Sequence, residues 1–429
     1  MYPAWIAAAA YLALYPALAG AVALSARVRL GLPLALGLPL AWLGAEKLRS
    51  LGELGFPWLT IGYTQWENGP LLQWAAVGGA FLVGAWVLAV NGALLAAWLA
   101  LRRGRAGRAA AWATLGAAIG MAAWSLGAAV LTPADSGARQ GPKVALVQGN
   151  VPGEVKWSGR HQAQVLQGFL EQSRAALAER PTFIIWPETA TGSYLRRDIL
   201  ALIAVQGFVD SAGVPLLAGY PDYRRRLDNG YDLFNAAGVF TPQVGIEAQY
   251  AKMHLVPFGE RLPFQWLIPA LGKIDLGQAE FLPGDSLRLL PVAGERAAVL
   301  ICFESIFPEA PRAARRRGAT VLVNITNDEW FGRTGALYQH AAMAVFRAVE
   351  TRLPLARCAN TGLTFFVDIR GRLYERGGVF TRETRCGRLD RPGPEPPYVR
   401  WGDWPGRAAL SLSGALALAA WLTRRSGRR

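Results

Sequence analysis

The sequence predicts an α-helical transmembrane portion and an α/β domain in one chain. The chain has 429 residues, of which 52% are hydrophobic, and its mean hydropathy is positive, which is too apolar for an ordinary soluble domain. The apolar residues are concentrated in residues 1–132 and again near residues 407–423. Between them, short β-branched runs alternate with helical patterns, as in α/β domains.

Five apolar runs approach the length of about 17–25 residues that a bilayer-spanning helix needs. They are Trp5–Leu24, Leu30–Ala45, Leu71–Leu99, Ala109–Leu131 and Ala408–Leu422. The second run is short and contains Pro33 and Pro39, so a re-entrant or interfacial segment is the alternative for it. We therefore predict about four transmembrane helices in residues 1–132 and a C-terminal one in residues 407–429.

Arginine clusters indicate how these spans are oriented. They lie between the first and second spans, between the third and fourth, and in the C-terminal tail, and comprise Arg27, Arg29, Arg102, Arg103, Arg105, Arg108, Arg424, Arg425, Arg428 and Arg429. Basic loops and tails stay in the cytoplasm. The loop near residues 46–70 and the domain at residues 133–406 are therefore predicted to lie outside it. No cleavage site precedes the first span, which we interpret as an anchor.

The charge and the cysteines exclude several classes of function. The formal net charge is +15, but the arginines lie beside apolar spans rather than in an aromatic-interleaved patch. Anionic lipid headgroups, and not nucleic acid, are the expected counter-charge. Cys302, Cys358 and Cys386 show no CxxC or Cys/His spacing, so neither a disulfide framework nor a metal site is predicted.

The α/β domain follows a linker at residues 132–142 that is rich in Pro, Ser and Gly. Strands are predicted at Lys143–Gln148, Thr182–Trp186, Val214–Gly219, Ala236–Phe240, Ala297–Phe303, Thr320–Asn324 and Thr364–Asp368. Helices are predicted at His161–Glu179, Arg197–Ser211, Ile306–Arg317 and Leu337–Leu353. The segment is long enough to bury a core of its own.

Three strand ends carry residues with catalytic chemistry, and strand ends hold side chains rigidly beside a cleft. Glu188 follows the second predicted strand, and Lys252 begins a stretch of apolar neighbours that closes at Glu260. Cys302 ends a strand that looks buried, with Glu304 two residues later. Each feature also has a structural interpretation: a solvated glutamate, an exposed ion pair, or a cysteine that serves as a small apolar core residue.

Together, these strand ends supply a nucleophile, a base and a cation for covalent acyl transfer. A thiol needs help to ionise, and the carboxylate of Glu188 can take the proton of Cys302. The ammonium of Lys252 can stabilise both the thiolate and the oxyanion that develops on the substrate. This chemistry requires no histidine.

The same residues resemble the motifs of the apolipoprotein N-acyltransferases, membrane members of the carbon–nitrogen hydrolase (nitrilase) superfamily. The matching segments are Trp186-Pro187-Glu188, Lys252 to Glu260, Ile301-Cys302-Phe303-Glu304, Val147-Gln148-Gly149-Asn150, Lys156-Trp157, Asn327-Asp328-Glu329-Trp330-Phe331-Gly332, Asn360-Thr361-Gly362 and Phe56-Pro57-Trp58. The resemblance covers nearly the whole chain.

The resemblance implies a nitrilase-like four-layer α-β-β-α sandwich outside the membrane. It implies Glu188 as general base, Lys252 as electrostatic partner and Cys302 as nucleophile, with Glu260 and Glu304 in support. The aromatic positions that match a substrate entrance are Trp157 and Trp330, and Trp58 lies in an outer loop that either anchors helices at headgroup depth or lines a lipid entry route. No cofactor and no metal is implied.

The implied reaction is a ping-pong transfer at the bacterial inner membrane by a monomer. The acyl donor is a membrane phospholipid, and the acceptor is the α-amine of the diacylglyceryl-modified N-terminal cysteine of an apolipoprotein. Two alternatives remain from the sequence. One is a membrane-tethered amidase or nitrilase that acts on a small soluble substrate, and the other is a catalytically silent scaffold that binds lipoproteins.

The chain departs from the family pattern at two points. Its first span corresponds to roughly the fourth of the family, so about three N-terminal spans are expected to be missing, an odd number that agrees with the charge-derived orientation. Phe303 also stands where the family commonly has tyrosine after the nucleophile. The second departure removes a hydroxyl near the site but leaves the three catalytic residues in place.

Overall fold

The computed structural model describes residues 2–131, 139–265, 267 and 281–426. The chain divides into two units, one formed by Met1–Pro133 with Arg400–Arg429 and the other by Ala134–Val399. The sequence placed the end of the α/β domain at residue 406, but residues 400–406 group with the helical unit because they lead directly into its last helix.

The first unit is helical. Its helices are α1 Tyr2–Leu30, α2 Leu34–Arg49, α3 Gly69–Leu72, α4 Ala75–Leu101, α5 Ala106–Val130 and, after α11 Pro397–Trp401 at the unit boundary, α12 Trp404–Ser426. Within the described residues, three stretches are long and apolar enough to cross a membrane, namely Trp5–Leu30, Ala75–Leu101 and Ala106–Val130. The sequence predicted about four such helices at the N-terminus and a fifth at the C-terminus.

The two remaining segments predicted as spans form helices α2 and α12, which are not among the described helices that are long and apolar enough to cross a membrane. Helix α2 has only 16 residues and ends in Glu46, Lys47 and Arg49, which are buried. The Lys47 Nζ donates to Asp403 Oδ2 at 3.1 Å, just before α12, and Glu46 Oε1 accepts from the backbone N–H of Ile61 at 2.9 Å. Buried charges need such partners. The first contact ties the end of α2 to the residue before α12, and the second ties it to the loop that the sequence placed near residues 46–70.

The second unit contains two six-stranded sheets. In chain order the strands are β1 Lys143–Gln148, β2 Phe183–Ile185, β3 Leu216–Arg225, β4 Tyr231–Thr241, β5 Gly245–Ala251, β6 Leu289–Val292, β7 Glu295–Ile301, β8 Val321–Thr326, β9 Leu355–Ala359, β10 Phe365–Val367, β11 Leu373–Tyr374 and β12 Glu383–Arg388. The first sheet has the order β12-β1-β2-β3-β4-β5, and the second has the order β11-β10-β9-β8-β7-β6.

Helices cover the outer faces of both sheets. They are α6 Gly153–Lys156, α7 Gln162–Ala176, α8 Ile199–Ala212, α9 Glu309–Arg316 and α10 Gly335–Thr351. Alternate strand residues such as Val239, Val299 and Val323 form a core between the sheets, whereas Ile184 packs with Phe169 of α7 beneath the helices. Because α9 and α10 pack on the second sheet, the unit has four layers, which confirms the predicted α-β-β-α sandwich.

Parallel strands at the centre of each sheet position the site. Strands β1, β2 and β3 run parallel in the first sheet, and β7, β8 and β9 run parallel in the second. Their carboxyl ends place the following loops at one edge, where α/β sheets bind ligands. The seven predicted strands are all present, although β3 continues to Arg225, and the sequence missed β5, β6, β9, β11 and β12.

Candidate active site

Glu188 follows β2 in a buried turn, where two donors hold its carboxylate. Oε1 accepts from Asn235 Nδ2 at 2.7 Å, and Oε2 accepts from the backbone N–H of Asn327 at 2.9 Å. Asn235 lies on β4 and Asn327 follows β8, so both sheets orient this side chain. The solvated surface glutamate that was one interpretation of the sequence is therefore wrong, since Glu188 is 6% exposed.

Lys252 follows β5 and is also buried. Its Nζ donates to Glu260 Oε1 at 2.9 Å and lies 3.5 Å from Glu188 Oε1. Asn235 Nδ2 reaches Glu260 Oε1 as well, at 3.1 Å. Burial by itself lowers the pKa of Lys252, but the nearby Glu260, Glu188 and Cys302 outweigh it and raise the pKa above its usual range. Lys252 is therefore a permanent cation at this site.

Cys302 follows β7 and begins the 3₁₀ turn Cys302–Ile306 with a φ of +50°, a left-handed conformation that non-glycine residues seldom adopt. Such a conformation persists only where its surroundings impose it. Burial and the carboxylate of Glu188 raise the pKa of the Cys302 thiol, although Lys252 and a hydrogen bond with Thr326 oppose the increase. The resting side chain is therefore a thiol that needs a base to react.

Glu304 anchors the loops that carry the nucleophile and the lysine. It is fully buried, and its Oε2 accepts from the backbone N–H of Ile301 at 2.8 Å. Its Oε1 accepts from the Tyr250 hydroxyl at 2.6 Å and from the backbone N–H of Met253 at 2.7 Å. Burial raises the pKa of Glu304, and these hydrogen bonds oppose the increase. Glu304 thus supports the site through its neighbours.

Removing this anchor has a measurable consequence. In Glu304→Ala, four buried donors (Tyr250 Oη and the backbone N–H groups of Ile301, Met253 and His254) lose their acceptor. We expect the free energy of unfolding to fall by about 3 kcal/mol and activity to fall with it. The matched control is Tyr250→Phe, which removes one donor and should cost about 1 kcal/mol. Equal losses of unfolding free energy in the two variants, measured by chemical denaturation, would contradict this role.

The aromatic residues predicted to bind substrate are distributed over both units. Trp157 follows α6 and Trp330 lies in the 3₁₀ turn Glu329–Phe331, with exposed fractions of 52% and 71%. The backbone N–H of Gly153 donates to Glu329 Oε1 at 2.8 Å, which joins the two segments that carry these indoles. Trp58 instead belongs to the helical unit, where it stacks on Phe56 with ring centroids 5.9 Å apart.

Comparisons with known proteins place the chain in a family. Residues 143–393 match the model of the carbon-nitrogen hydrolases, and residues 1–93 match that of the apolipoprotein N-acyltransferase N-terminal domain. Apolipoprotein N-acyltransferase of Geobacter metallireducens is 34% identical over 95% of this chain and 78% of its own, and that of Methylococcus capsulatus is 36% identical over 92% and 76%. The chain belongs to the apolipoprotein N-acyltransferases.

Solved structures are similar to part of this chain, and the similarity covers nearly all of their own length. An amidase from Nesterenkonia sp. is 18% identical, with a TM-score of 0.45, over 62% of this chain and 96% of its own. Nit3 of Saccharomyces cerevisiae is 18% identical, also with a TM-score of 0.45, over 62% and 95%.

This member of the apolipoprotein N-acyltransferases also holds a buried polar network behind the nucleophile, which the sequence did not predict. Asp328 Oδ1 lies 2.8 Å from His340 Nδ1, and Asp328 Oδ2 accepts from Arg357 Nη2 at 2.6 Å. His340 Nε2 lies 2.9 Å from Ser305 Oγ and 3.1 Å from the carbonyl oxygen of Cys302. The network therefore braces the turn that begins at Cys302. The motif at Asn327–Gly332 contains Asp328, but its partners His340 and Arg357 lie outside the motif, so the sequence alone did not indicate the network.

The same residues form a geometric candidate for a metal site. Ligand atoms of Cys302, Asp328 and His340 lie within 4.8 Å of one another. However, Arg357 and His340 already bind the two carboxylate oxygens of Asp328. Although burial raises the pKa of Asp328, the Arg357 guanidinium and the hydrogen bonds with His340 and Thr326 hold it well below its usual range. The donor set therefore suits an internal ion pair better than a metal ion.

Proposed function

We propose that this protein transfers a fatty acyl chain from a membrane phospholipid, through a thioester on Cys302, to the α-amine of the N-terminal diacylglyceryl-cysteine of an apolipoprotein. The observation that carries the proposal is the convergence of Glu188 and Lys252 on one carboxylate-ammonium cluster that interacts electrostatically with the Cys302 thiol. The family membership supports acyl transfer over the hydrolysis of a small amide.

The first half of the reaction forms the thioester. Glu188 takes the thiol proton as the sulfur of Cys302 attacks the ester carbonyl carbon of the phospholipid, and Lys252 stabilises the oxyanion. The carbon–oxygen bond of the ester then breaks. The departing alkoxide receives the proton from Glu188 and leaves as a lysophospholipid.

The second half transfers the acyl chain. The α-amine of the acceptor attacks the thioester carbonyl and gives a proton to Glu188. The carbon–sulfur bond breaks, the amide forms, and the proton returns to the sulfur of Cys302. Each cycle therefore ends with the same protonation state with which it began, and it consumes one ester and one amine.

The membrane portion and the exposed indoles suit substrates that reside in a bilayer. We propose that Trp157 and Trp330 contact the acyl chain or the lipoprotein at the entrance, because exposed indoles favour the boundary between apolar and aqueous phases. We propose a similar contact for Trp58 in the helical unit. The arginine clusters support a multi-pass inner-membrane protein with its catalytic unit outside the cytoplasm, and we propose that it acts as a monomer.

A reconstituted assay tests this function. The full chain in phospholipid vesicles is incubated with a synthetic peptide that carries an N-terminal diacylglyceryl-cysteine, and the peptide mass should increase by one acyl group. Vesicles of ether-linked phospholipid are the control, because an ether offers no carbonyl carbon and should give no transfer. Release of free fatty acid with an unchanged peptide mass would indicate a hydrolase, and no reaction of either kind would indicate a non-catalytic scaffold.

A further inference from the structure

The cluster around the proposed catalytic residues contains two carboxylates, those of Glu188 and Glu260, but only one ammonium group, that of Lys252. Glu188 and Glu260 share the single ammonium of Lys252 and the side-chain amide of Asn235. Two carboxylates in contact with one cation leave a net negative charge in a buried site, and a buried charge costs free energy unless it is paired.

A second buried lysine lies next to this cluster. Lys156 is the last residue of α6 and is fully buried. Its Nζ donates to Asn327 Oδ1 at 3.2 Å, and the backbone N–H of the same Asn327 donates to Glu188 Oε2 at 2.9 Å. Asn360 Nδ2 also donates to Asn327 Oδ1, at 2.8 Å, which fixes the amide between lysine and carboxylate.

The surrounding chain is shaped to hold this lysine in place. A Cβ added to Gly192, which has a φ of +65°, would lie 2.6 Å from Lys156 Cγ and 2.3 Å from its carbonyl oxygen. Glu329 caps the beginning of α6 through the backbone N–H of Gly153. The charged groups that act on the Lys156 ammonium are Glu188, in the turn after β2, and Glu329. Burying an ammonium group beside a neutral amide costs free energy unless an opposite charge pairs with it.

We propose that Lys156 is a positioning residue for the base: held by Asn327, its ammonium balances the second carboxylate of the cluster and keeps Glu188 ionised. This inference rests on the proposed function, since it assigns a role within the same reaction. Glu188 and Glu260 are then matched by the ammonium groups of Lys252 and Lys156, with the carboxylate of Glu329 also acting on Lys156.

The charge state of Lys156 agrees with the role over the relevant pH range. Burial lowers the pKa of Lys156 to about 8, and the carboxylates of Glu188 and Glu329 oppose this decrease. A lysine is cationic below its pKa, so Lys156 carries its charge throughout the acidic range in which a carboxylate base becomes protonated. Its loss should therefore affect the acidic limb of the pH profile.

The test measures the rate of Cys302 thioester formation from phospholipid as a function of pH, in single turnovers without an acceptor. Lys156→Gln keeps a donor for Asn327 but removes the charge, and its acidic limb should move to higher pH by about one unit. Lys156→Arg keeps the charge, and its limb should stay within about 0.3 unit of wild type. Lys156→Met, which keeps the apolar stem, is the second uncharged variant in case Lys156→Gln does not fold.

The outcomes separate this inference from the proposed function. A wild-type protein that forms no thioester would contradict the proposed function itself. If wild type forms the thioester and the uncharged variants lose rate equally at every pH, Lys156 has only a structural role and the inference is wrong. If the acidic limb of the pH profile moves to higher pH in the uncharged variants but not in Lys156→Arg, the result supports the inference.

Discussion

Replacing Cys302 with alanine is expected to abolish acyl transfer and to leave no acyl group bound to the protein. The sulfur is the proposed nucleophile, and the methyl group of alanine cannot form the thioester in its place. We expect turnover to fall at least about 10⁴-fold, as for the loss of other catalytic nucleophiles. Intact-protein mass after incubation with phospholipid vesicles should show one added acyl group in wild type and none in Cys302→Ala.

The chain provides a matched control for this substitution. Cys386 lies on β12 and is only partly buried, so it is an available thiol, and the charged groups that act on it are Glu179, Lys143 and Glu375 rather than Glu188 and Lys252. Burial raises the pKa of the Cys386 thiol. Cys386→Ala should keep activity within about twofold and still acquire the acyl group. An acyl adduct that persists in Cys302→Ala and disappears in Cys386→Ala would reverse the assignment.

The proposed catalytic residues were predictable from local patterns. Glu188 and Cys302 stand where an apolar β-branched run ends, and a run of that kind predicts a buried strand without knowledge of its neighbours. Lys252 was singled out by the apolar residues that follow it, because the strand before it, β5, was missed. The carboxyl ends of parallel strands then place side chains at one edge of a sheet. Their order in the chain and the family resemblance supplied the assignment of roles, which the spacing alone left open.

The residues that hold the catalytic groups were not predictable in the same way. Asn235 lies inside a strand whose sequence indicates only a strand, and its contact with Glu188 arises from the pairing of β3 with β4. Asp328, His340 and Arg357 come from a loop, a helix and a strand, and each alone has an ordinary structural interpretation. Such networks depend on tertiary packing, which no short pattern encodes.

The membrane portion shows a different limit. Hydropathy identified helices, because apolar runs of this length have few other conformations in a bilayer. It predicted about four spans at the N-terminus and one at the C-terminus, whereas three of the described helices are long and apolar enough to cross a membrane, and α2 is short and closes with a buried ion pair between Lys47 and Asp403. A charged residue counts as polar in a hydropathy profile whether or not the fold supplies it with a partner.

Glu188→Gln is expected to lower the rate of thioester formation about 10³-fold, because an amide cannot accept the thiol proton. It should also cost about 1–3 kcal/mol of stability, since the new amide N–H₂ must face either Asn235 Nδ2 or the backbone N–H of Asn327, both of which are donors. Single-turnover acylation and chemical denaturation measure the two effects separately.

The thiol itself reports whether the rate is lost through the base. Burial, and then the negative charge of Glu188, raises the pKa of Cys302, so removing that charge should lower the thiol pKa while acylation becomes slower. Alkylation by iodoacetamide should therefore begin at lower pH in Glu188→Gln than in wild type. Glu260→Gln is the matched control, because Glu260 also pairs with Lys252 and the variant removes an equal charge from the cluster, and its alkylation profile should stay close to that of wild type. Loss of the base explains why the thiol of Glu188→Gln would react with iodoacetamide at lower pH although the enzyme acylates more slowly. An unchanged alkylation profile in Glu188→Gln would contradict the assignment of Glu188 as the base.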